Sequence, residues 1–123
     1  MFSPATEHDE ALLILPWVYP GASRIRQGNG YAKQSRWDMA EDAWQDAATK
    51  HRRNKAAWHN LALAAVARQD FELARRRIEH AKSIYPWDRA RKTEQWIDQK
   101  QQEYHQAFGL GTREGGWLTP QPP

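Results

Sequence analysis

Apolar and small residues recur at helical spacing through the middle of the chain. In residues 58–68 they fit the i, i+3, i+4, i+7 spacing of a buried helix face, and a second such stripe begins after residues 69–70. Asp70 predicts the start of the second helix, because its carboxylate can accept a hydrogen bond from a first-turn amide. Pro86 predicts its end, because proline cannot continue the helical hydrogen bonds. The pattern predicts two antiparallel helices with buried stripes Trp58, Leu61, Ala62, Ala65 and Phe71, Ala74, Ile78, Ala81.

The same pattern occurs a second time, 34 positions upstream. A fixed period of this length is typical of helical repeat arrays. It predicts an all-α fold with helices at about 23–34, 37–49, 55–68 and 71–84, followed by a fifth helix that Asp88 caps and that ends near residue 107. The residues that match across the period are Trp37 and Phe71, Ala40 and Ala74, Trp44 and Ile78, Ala47 and Ala81, Gly28 and Ala62, Tyr31 and Ala65, and Asn54 and Asp88.

This pattern resembles the tetratricopeptide repeat (TPR), and the resemblance covers residues 21–88. It implies two helical hairpins plus a C-terminal capping helix within residues 21–108, an irregular apolar segment at residues 1–20, and a flexible tail at residues 109–123. The second copy carries the matches Trp58, Leu61, Ala62, Ala74, Ile78, Ala81 and Pro86, and the first carries Gly28, Tyr31, Ala40, Trp44 and Ala47. The departures from the family pattern are Arg24, Gln27, Arg52 and Ala65.

In this family the first helix of each hairpin lines a concave face, so the resemblance implies a peptide-binding groove. Asn29 and Asn60 fall where the chaperone-tail-binding members place two asparagines that hold a terminal carboxylate. The basic residues that those members add are replaced here by Ile25, Ala90 and Glu94. The resemblance therefore implies that the groove binds an internal or apolar segment of another protein. The implied groove residues are Ile25, Asn29, Ala32, Lys33, His59, Asn60, Leu63, Val66, Ala90, Thr93, Glu94 and Ile97.

The charge distribution supplies an alternative function. The net charge is +3, but residues 50–92 hold twelve Lys and Arg against four Asp and Glu. Such a basic stretch, which includes Arg75, Arg76 and Arg77, can bind phosphates through charge alone. The aromatic residues fall on core positions of the repeat, whereas nucleic-acid binders use aromatics for base stacking. A nucleic-acid-associated protein is therefore the second hypothesis, behind a peptide-binding scaffold.

The sequence offers little for catalysis or cofactor binding. There is no cysteine, so thiol chemistry, disulfides and cysteine metal sites are excluded. The five histidines include no pair at the i, i+4 spacing of a helical zinc site. Neighbouring carboxylates such as Glu41 and Asp42 diverge on a helix. We therefore expect a non-enzymatic protein without a cofactor.

The N-terminal segment is apolar and rich in proline. Residues 12–19 are too apolar to remain in water, so we expect them to cover the first repeat or, alternatively, to join another domain or a second copy of the chain. The segment is too short to span a membrane, and no basic region precedes it as in a signal peptide. The chain as given is expected in the cytoplasm. A looser similarity of residues 1–29 to TPR regions of bacterial envelope lipoproteins implies a periplasmic place if the chain is a fragment of an exported protein.

Overall fold

The computed structural model describes residues 20–118, which form five α-helices and no strand. The first and last residues of all five helices lie within one residue of the positions predicted from the sequence. Residues 1–19 of the predicted irregular segment, which covers residues 1–20, and residues 119–123 of the tail lie outside the described residues. The helices are α1 (Ala22–Lys33), α2 (Trp37–Lys50), α3 (Lys55–Ala67), α4 (Phe71–Ile84) and α5 (Asp88–Phe108).

The helices pack as two hairpins closed by the fifth helix. Helix α1 packs on α2, α3 packs on α4, α2 joins the hairpins through α3, and α5 packs on α4. The all-α fold of helical hairpins with a C-terminal helix is therefore confirmed. None of the helices within residues 20–118 combines the length and the apolar character that crossing a bilayer requires.

Local capping explains the starts of α3 and α4 and the end of α5. Asn54 Oδ1 accepts a hydrogen bond from the amide of Ala57 at 3.1 Å, and Asp70 Oδ1 accepts one from the amide of Leu73 at 3.2 Å. Both are side-chain caps of the predicted kind. Gly109 ends α5 in a left-handed conformation with φ of 64°, as glycine commonly does at a helix C-terminus.

One predicted cap is wrong. Asp88 does not cap α5, because Trp87 takes the N-cap position and makes no side-chain capping bond. Asp88 is already helical, and its carboxylate pairs with Arg91 one turn later. The extended backbone on either side of Pro86 sets this start, since Tyr85 and Trp87 both lie in the β region. An acidic residue in the first turn still interacts favourably with the helix dipole.

The core consists of small residues at helix contacts and a few large side chains between them. The residues predicted to allow close approach, Gly28, Ala40, Ala47, Ala62, Ala74 and Ala81, are all buried. Trp44 is completely buried between α1 and α2, and Phe71 packs against Tyr104 of α5 with ring centroids 5.5 Å apart.

Candidate binding site

The predicted groove residues lie together, but they are buried. Eight of the nine residues central to that prediction are at most 5% exposed, and Lys33 alone of the nine is exposed. They come from the three helices that the repeat makes equivalent, namely α1, α3 and α5. The buried eight are Ile25, Asn29, His59, Asn60, Leu63, Val66, Thr93 and Ile97.

The repeat period places six of these eight residues, all except Asn60 and Val66, in rows across the three helices. Residues 22, 56 and 90 are all alanine, residues 25, 59 and 93 are Ile, His and Thr, and residues 29, 63 and 97 are Asn, Leu and Ile. Every residue of these three rows is at most 5% exposed. We call this surface of α1, α3 and α5 the inner face.

A chain of buried hydrogen bonds crosses the inner face. Asn29 Oδ1 accepts from Trp44 Nε1 and from Asn60 Nδ2, both at 3.1 Å. Asn60 Oδ1 lies 3.0 Å from His59 Nδ1, and His59 Nε2 lies 2.8 Å from Thr93 Oγ1. These contacts link α1, α2, α3 and α5 through side chains.

Donor and acceptor roles along this chain follow from its first member. The indole of Trp44 can only donate, so it fixes the Asn29 oxygen as its acceptor. That oxygen then faces the amide nitrogen of Asn60, which turns the Asn60 oxygen toward His59 Nδ1. A neutral imidazole therefore carries its proton on Nδ1 and accepts at Nε2 from the Thr93 hydroxyl.

The two asparagines are engaged inside the protein. Asn29 and Asn60 bond each other, and both make further interactions beyond this pair. Leaving a buried amide without its hydrogen-bond partner destabilises a fold, so the bond between Asn29 and Asn60 stabilises the packing of α1 against α3. That they hold the backbone of a bound peptide stays a prediction.

Charge at the rim of the inner face is balanced. Glu94, which stands where the chaperone-tail-binding members have a basic residue, pairs with Lys82 at 3.1 Å. Burial on its own would lower the pKa of Lys82, but the hydrogen bond and charge of Glu94 outweigh it and raise that pKa. Lys82 therefore supplies Glu94 with an ion-pair partner within the fold.

The basic run on α4 serves mainly to join helices. Arg75 pairs with Asp98 of α5 at 2.8 Å, and its side chain is 16% exposed. Arg77 donates to the Leu61 carbonyl of α3 at 2.9 Å and pairs with Glu41 of α2. Two of the three consecutive arginines are thus committed to internal contacts. The sequence did not reveal this, because the ion pairs join residues 23 and 36 positions apart.

A second concave surface opens between α2 and α4. It is a cavity of about 520 Å³, and the exposed side chains of Arg52 and Arg53 lie at it. The rings of Trp58 and His80 stand beside these arginines with centroids 4.2 Å apart. Exposed basic groups and aromatic rings come together at this surface, as the nucleic-acid hypothesis requires. Its full lining is Gln45, Ala48, Thr49, Arg52, Arg53, Trp58, His80, Ser83 and Ile84.

The tail beyond α5 docks on the outer side of α4 and α5. Arg113 pairs with Glu72 at 2.7 Å, and the amide of Leu118 donates to Asp98 Oδ1 at 3.2 Å. Trp117 stacks edge-on against His105 at 5.1 Å between centroids. The hydrogen bond from Arg113 holds the pKa of Glu72 below its ordinary value.

Within residues 20–118, no three His, Asp or Glu side chains lie close enough together to hold a metal ion. No protein-family model, curated protein or solved structure matches this chain.

The period of 34 already relates His59 to Thr93, so it could have indicated their contact. Gly28 was a weaker sequence signal for the hydrogen bond between Trp44 and Asn29, because a glycine inside a helix often marks the close approach of another part of the chain.

Proposed function

We propose that the chain is a non-catalytic, TPR-like scaffold that binds an extended, largely apolar segment of another protein along its inner face. One observation carries the proposal: the inner face is a continuous set of apolar residues with a few convergent polar groups across three repeated helices. Ligand sites commonly have this composition, with polar groups that orient the ligand and apolar groups that supply contact area.

The polar groups suit a peptide more than a charged small molecule. The hydrogen-bonded chain consists of amides, a hydroxyl and an imidazole, which match the donors and acceptors of a peptide backbone. Charge near the face is paired within the fold, as for Glu94 and Lys82. Recognition would therefore depend little on salt.

Fewer basic residues support the nucleic-acid hypothesis than the charge of the whole basic stretch suggested. Arg75 and Arg77 are committed to Asp98 and Glu41, and Lys50 pairs with Asp46. Arg52 and Arg53, beside Trp58 and His80, remain to contact phosphates and bases. A site of this size supports fewer phosphate contacts than the whole basic stretch suggested.

The test is an NMR titration of the full-length, ¹⁵N-labelled chain with a peptide selected on it from a random phage-displayed library. We expect the amide signals of His59, Leu63 and Thr93 to shift, and that of the exposed Arg76 on α4 to stay in place. Affinity should change little between 50 and 200 mM salt. Shifts confined to residues around Arg52 and Trp58 would contradict the proposal.

A parallel titration with a single-stranded oligonucleotide addresses the alternative. Binding through six to ten phosphates would weaken by a factor of about 10³–10⁵ over the same salt range. Substitution of both Arg52 and Arg53 by alanine should abolish such binding and leave peptide binding unchanged. Tight oligonucleotide binding without any peptide binding would reverse the ranking of the two functions.

A further inference from the structure

The cavity between α2 and α4 combines an apolar interior with a polar rim. Its least exposed lining residues are Ala48, which is buried, and Trp58 and Ile84, which are partly buried. Its volume of about 520 Å³ falls within the range of roughly 300–1,000 Å³ that is typical of ligand sites. The cavity is therefore suited to a ligand with an apolar part and a polar part. The exposed lining residues are all polar, namely Gln45, Thr49, Arg52, Arg53, His80 and Ser83.

The charge at this rim is positive and unpaired. Among the residues that the structure describes, no aspartate or glutamate lines the cavity. Arg52 and Arg53 are exposed, and neither guanidinium makes an ion pair or a hydrogen bond with any of residues 20–118. Arg75, by contrast, is paired with Asp98. The two rim arginines are therefore available to an anion from outside the fold.

The fold does not require arginines at this turn. The turn between α2 and α3 has a counterpart 34 positions later, between α4 and α5, where Pro86 and Trp87 replace Arg52 and Arg53. Both turns lead into a helix of the inner face, although only one of them is basic. The side chain that caps α3 is Asn54. The arginine pair is thus not needed to form the turn, which leaves it for a ligand.

The aromatic rings at the cavity favour an apolar side chain over a nucleic-acid base. A base stacks flat on an exposed ring. The Trp58 ring is partly buried against both core clusters, and its Nε1 is buried with no hydrogen-bond partner among the described residues. The His80 ring is tilted against it by 59°, with centroids 4.2 Å apart, and takes up space that a stacked base would need. A leucine or phenylalanine side chain does not need a flat exposed ring, so it can contact Trp58 and Ile84 inside the cavity.

The charge of the site suits a few carboxylates better than a chain of phosphates. Thr49 lies in the last turn of α2, and Ser83 and Ile84 lie in the last turn of α4. The C-terminal end of a helix carries about −0.5 elementary charge, so two such ends offset about half of the charge of two arginines. A weakly positive site can hold a peptide with one or two carboxylates. It gives less to nucleic acid, whose binding grows with the number of phosphates neutralised.

We propose that this cavity binds an acidic segment of another protein, with an apolar side chain inside the cavity and neighbouring carboxylates on Arg52 and Arg53. A guanidinium binds a carboxylate through two parallel hydrogen bonds. The Thr49 hydroxyl accepts a hydrogen bond from Gln45 Nε2 at 3.4 Å, so its own proton remains for a backbone carbonyl of the segment. None of the lining residues belongs to the three rows of the inner face. This second site is therefore independent of the proposed function.

The first experiment is an NMR titration of the full-length, ¹⁵N-labelled chain with capped pentapeptides. The probes are Ser-Glu-Leu-Glu-Ser, Ser-Glu-Phe-Glu-Ser and Ser-Glu-Trp-Glu-Ser, acetylated and amidated so that the carboxylates are their only charges. We expect at least one probe to shift the indole signal of Trp58 and the amide signals of Thr49 and Arg53. The amide signal of Leu63 on the inner face should stay in place. The absence of the three shifts with all of the probes overturns the proposal.

Changes to the tightest probe test the two parts of the ligand. Replacing both glutamates by glutamine removes the charge, and replacing the central residue by glycine removes the apolar side chain. Each change should weaken binding about tenfold or more, the usual effect of losing a charged hydrogen bond or a buried side chain. In the protein, Ser83→Phe fills the cavity and keeps both arginines, so it should weaken the probe as well. Unchanged affinity after any of these three changes contradicts the proposal.

Substitutions of the arginines locate the charged part of the site. Arg52→Gln together with Arg53→Gln should weaken the tightest probe by about tenfold or more. Lys33→Gln together with Arg36→Gln removes the same charge from exposed positions next to the start of α2 and should leave the affinity unchanged. Equal losses in the two double variants would mean that binding follows net charge alone, and the assigned site would be wrong.

A short single-stranded thymidine oligonucleotide distinguishes nucleic acid from an acidic protein segment. Its affinity is measured in physiological salt through the same Trp58 indole signal. We expect it to bind more weakly than the tightest acidic probe, because the site offers two arginines and no exposed ring for flat stacking. An oligonucleotide that binds more tightly than every acidic probe overturns the proposal in favour of nucleic-acid binding.

Discussion

At the scale of single residues, Gly28 and Trp44 show how closely α1 and α2 pack in the first hairpin. The Trp44 indole donates to both Asn29 Oδ1 and the Ile25 carbonyl, so it must lie close to α1. A Cβ added at Gly28 would stand 2.6 Å from Trp44 Cδ1, which is too close for any real contact. The absence of a side chain at this helical position is what allows the bond.

We therefore predict that Gly28→Ala destabilises the chain by about 1–3 kcal/mol, the usual cost of overpacking. Gly30→Ala is the matched control, because a Cβ there meets nothing within 4 Å. Alanine favours a helix over glycine by about 1 kcal/mol, so Gly30→Ala should stabilise. Urea denaturation followed by circular dichroism measures both. Equal effects of the two substitutions would contradict the close approach of Trp44.

The hydrogen bonds of Asn60 were not visible in the sequence. A register of 34 assigns the residue to a helix and a face, whereas its partners depend on the distance between helices. Because the amide is 0% exposed and bonds Asn29, we expect Asn60→Ala to reduce stability.

The predicted loss for Asn60→Ala is about 1–3 kcal/mol, the cost of leaving a buried polar partner unsatisfied. Asn29→Ala should cost a similar amount, because it removes the acceptor of Asn60 Nδ2 and leaves Trp44 Nε1 with the Ile25 carbonyl alone. The double variant should cost less than the sum of the two, since both remove the same bond. Thermal or urea denaturation of the three variants tests this, and strict additivity would argue against a direct Asn29–Asn60 bond.

At the scale of helices, the boundaries were predictable because their signals are local. Asn54, Asp70, Pro86 and Gly109 act within one turn of themselves, so the sequence alone locates them. The left-handed backbone of two turns was not predicted, because neither turn uses glycine: Ser35 and Gln69 adopt positive φ of 60° and 61°. They are 34 residues apart, so the backbone repeats even where the residue types do not.

The docking of the tail on α4 gives a prediction for pH. Arg113 lowers the pKa of Glu72, so the carboxylate is more acidic in the docked tail than in a free one. A lowered folded pKa contributes stability above the ordinary pKa and loses it as the pH falls through the lowered value. We expect the tail to remain docked at neutral pH and to detach in acid below the ordinary range of a glutamate.

An NMR titration of the Glu72 carboxyl carbon tests the docking directly. In the unmodified chain its midpoint should lie below the ordinary glutamate value, and in Arg113→Ala it should move upward. The Trp117 indole signal should shift over the same pH range, because it packs on His105 in the docked tail. An unchanged Glu72 midpoint in Arg113→Ala would contradict the ion pair.

At the scale of the whole molecule, the fold depends on one shared helix. Helix α3 contributes Ala57, Leu61 and Ala64 to the cluster with α2, and Ala62, Ala65 and Val66 to the cluster with α4 and α5. Arg77 adds a link from α4 to α3 and α2. The sequence predicts the array through its period, but this sharing follows from packing between distant helices. Separate unfolding of the two hairpins would require α3 to leave both clusters.

We therefore predict that a destabilising substitution at one end of the array also reduces the stability of the helices at the other end. Ile97 of α5 is fully buried in the cluster with α4, and Ile97→Ala should cost about 2–5 kcal/mol of unfolding free energy. If unfolding is cooperative, amide hydrogen exchange should accelerate by the same factor in α2 as in α4, although α2 is in the other cluster. Met39→Ala, at a position 42% exposed on α2, is the control and should leave both helices protected. Faster exchange in α4 and α5 with full protection of α2 would show that the array instead unfolds hairpin by hairpin, as long repeat proteins with weak interfaces do.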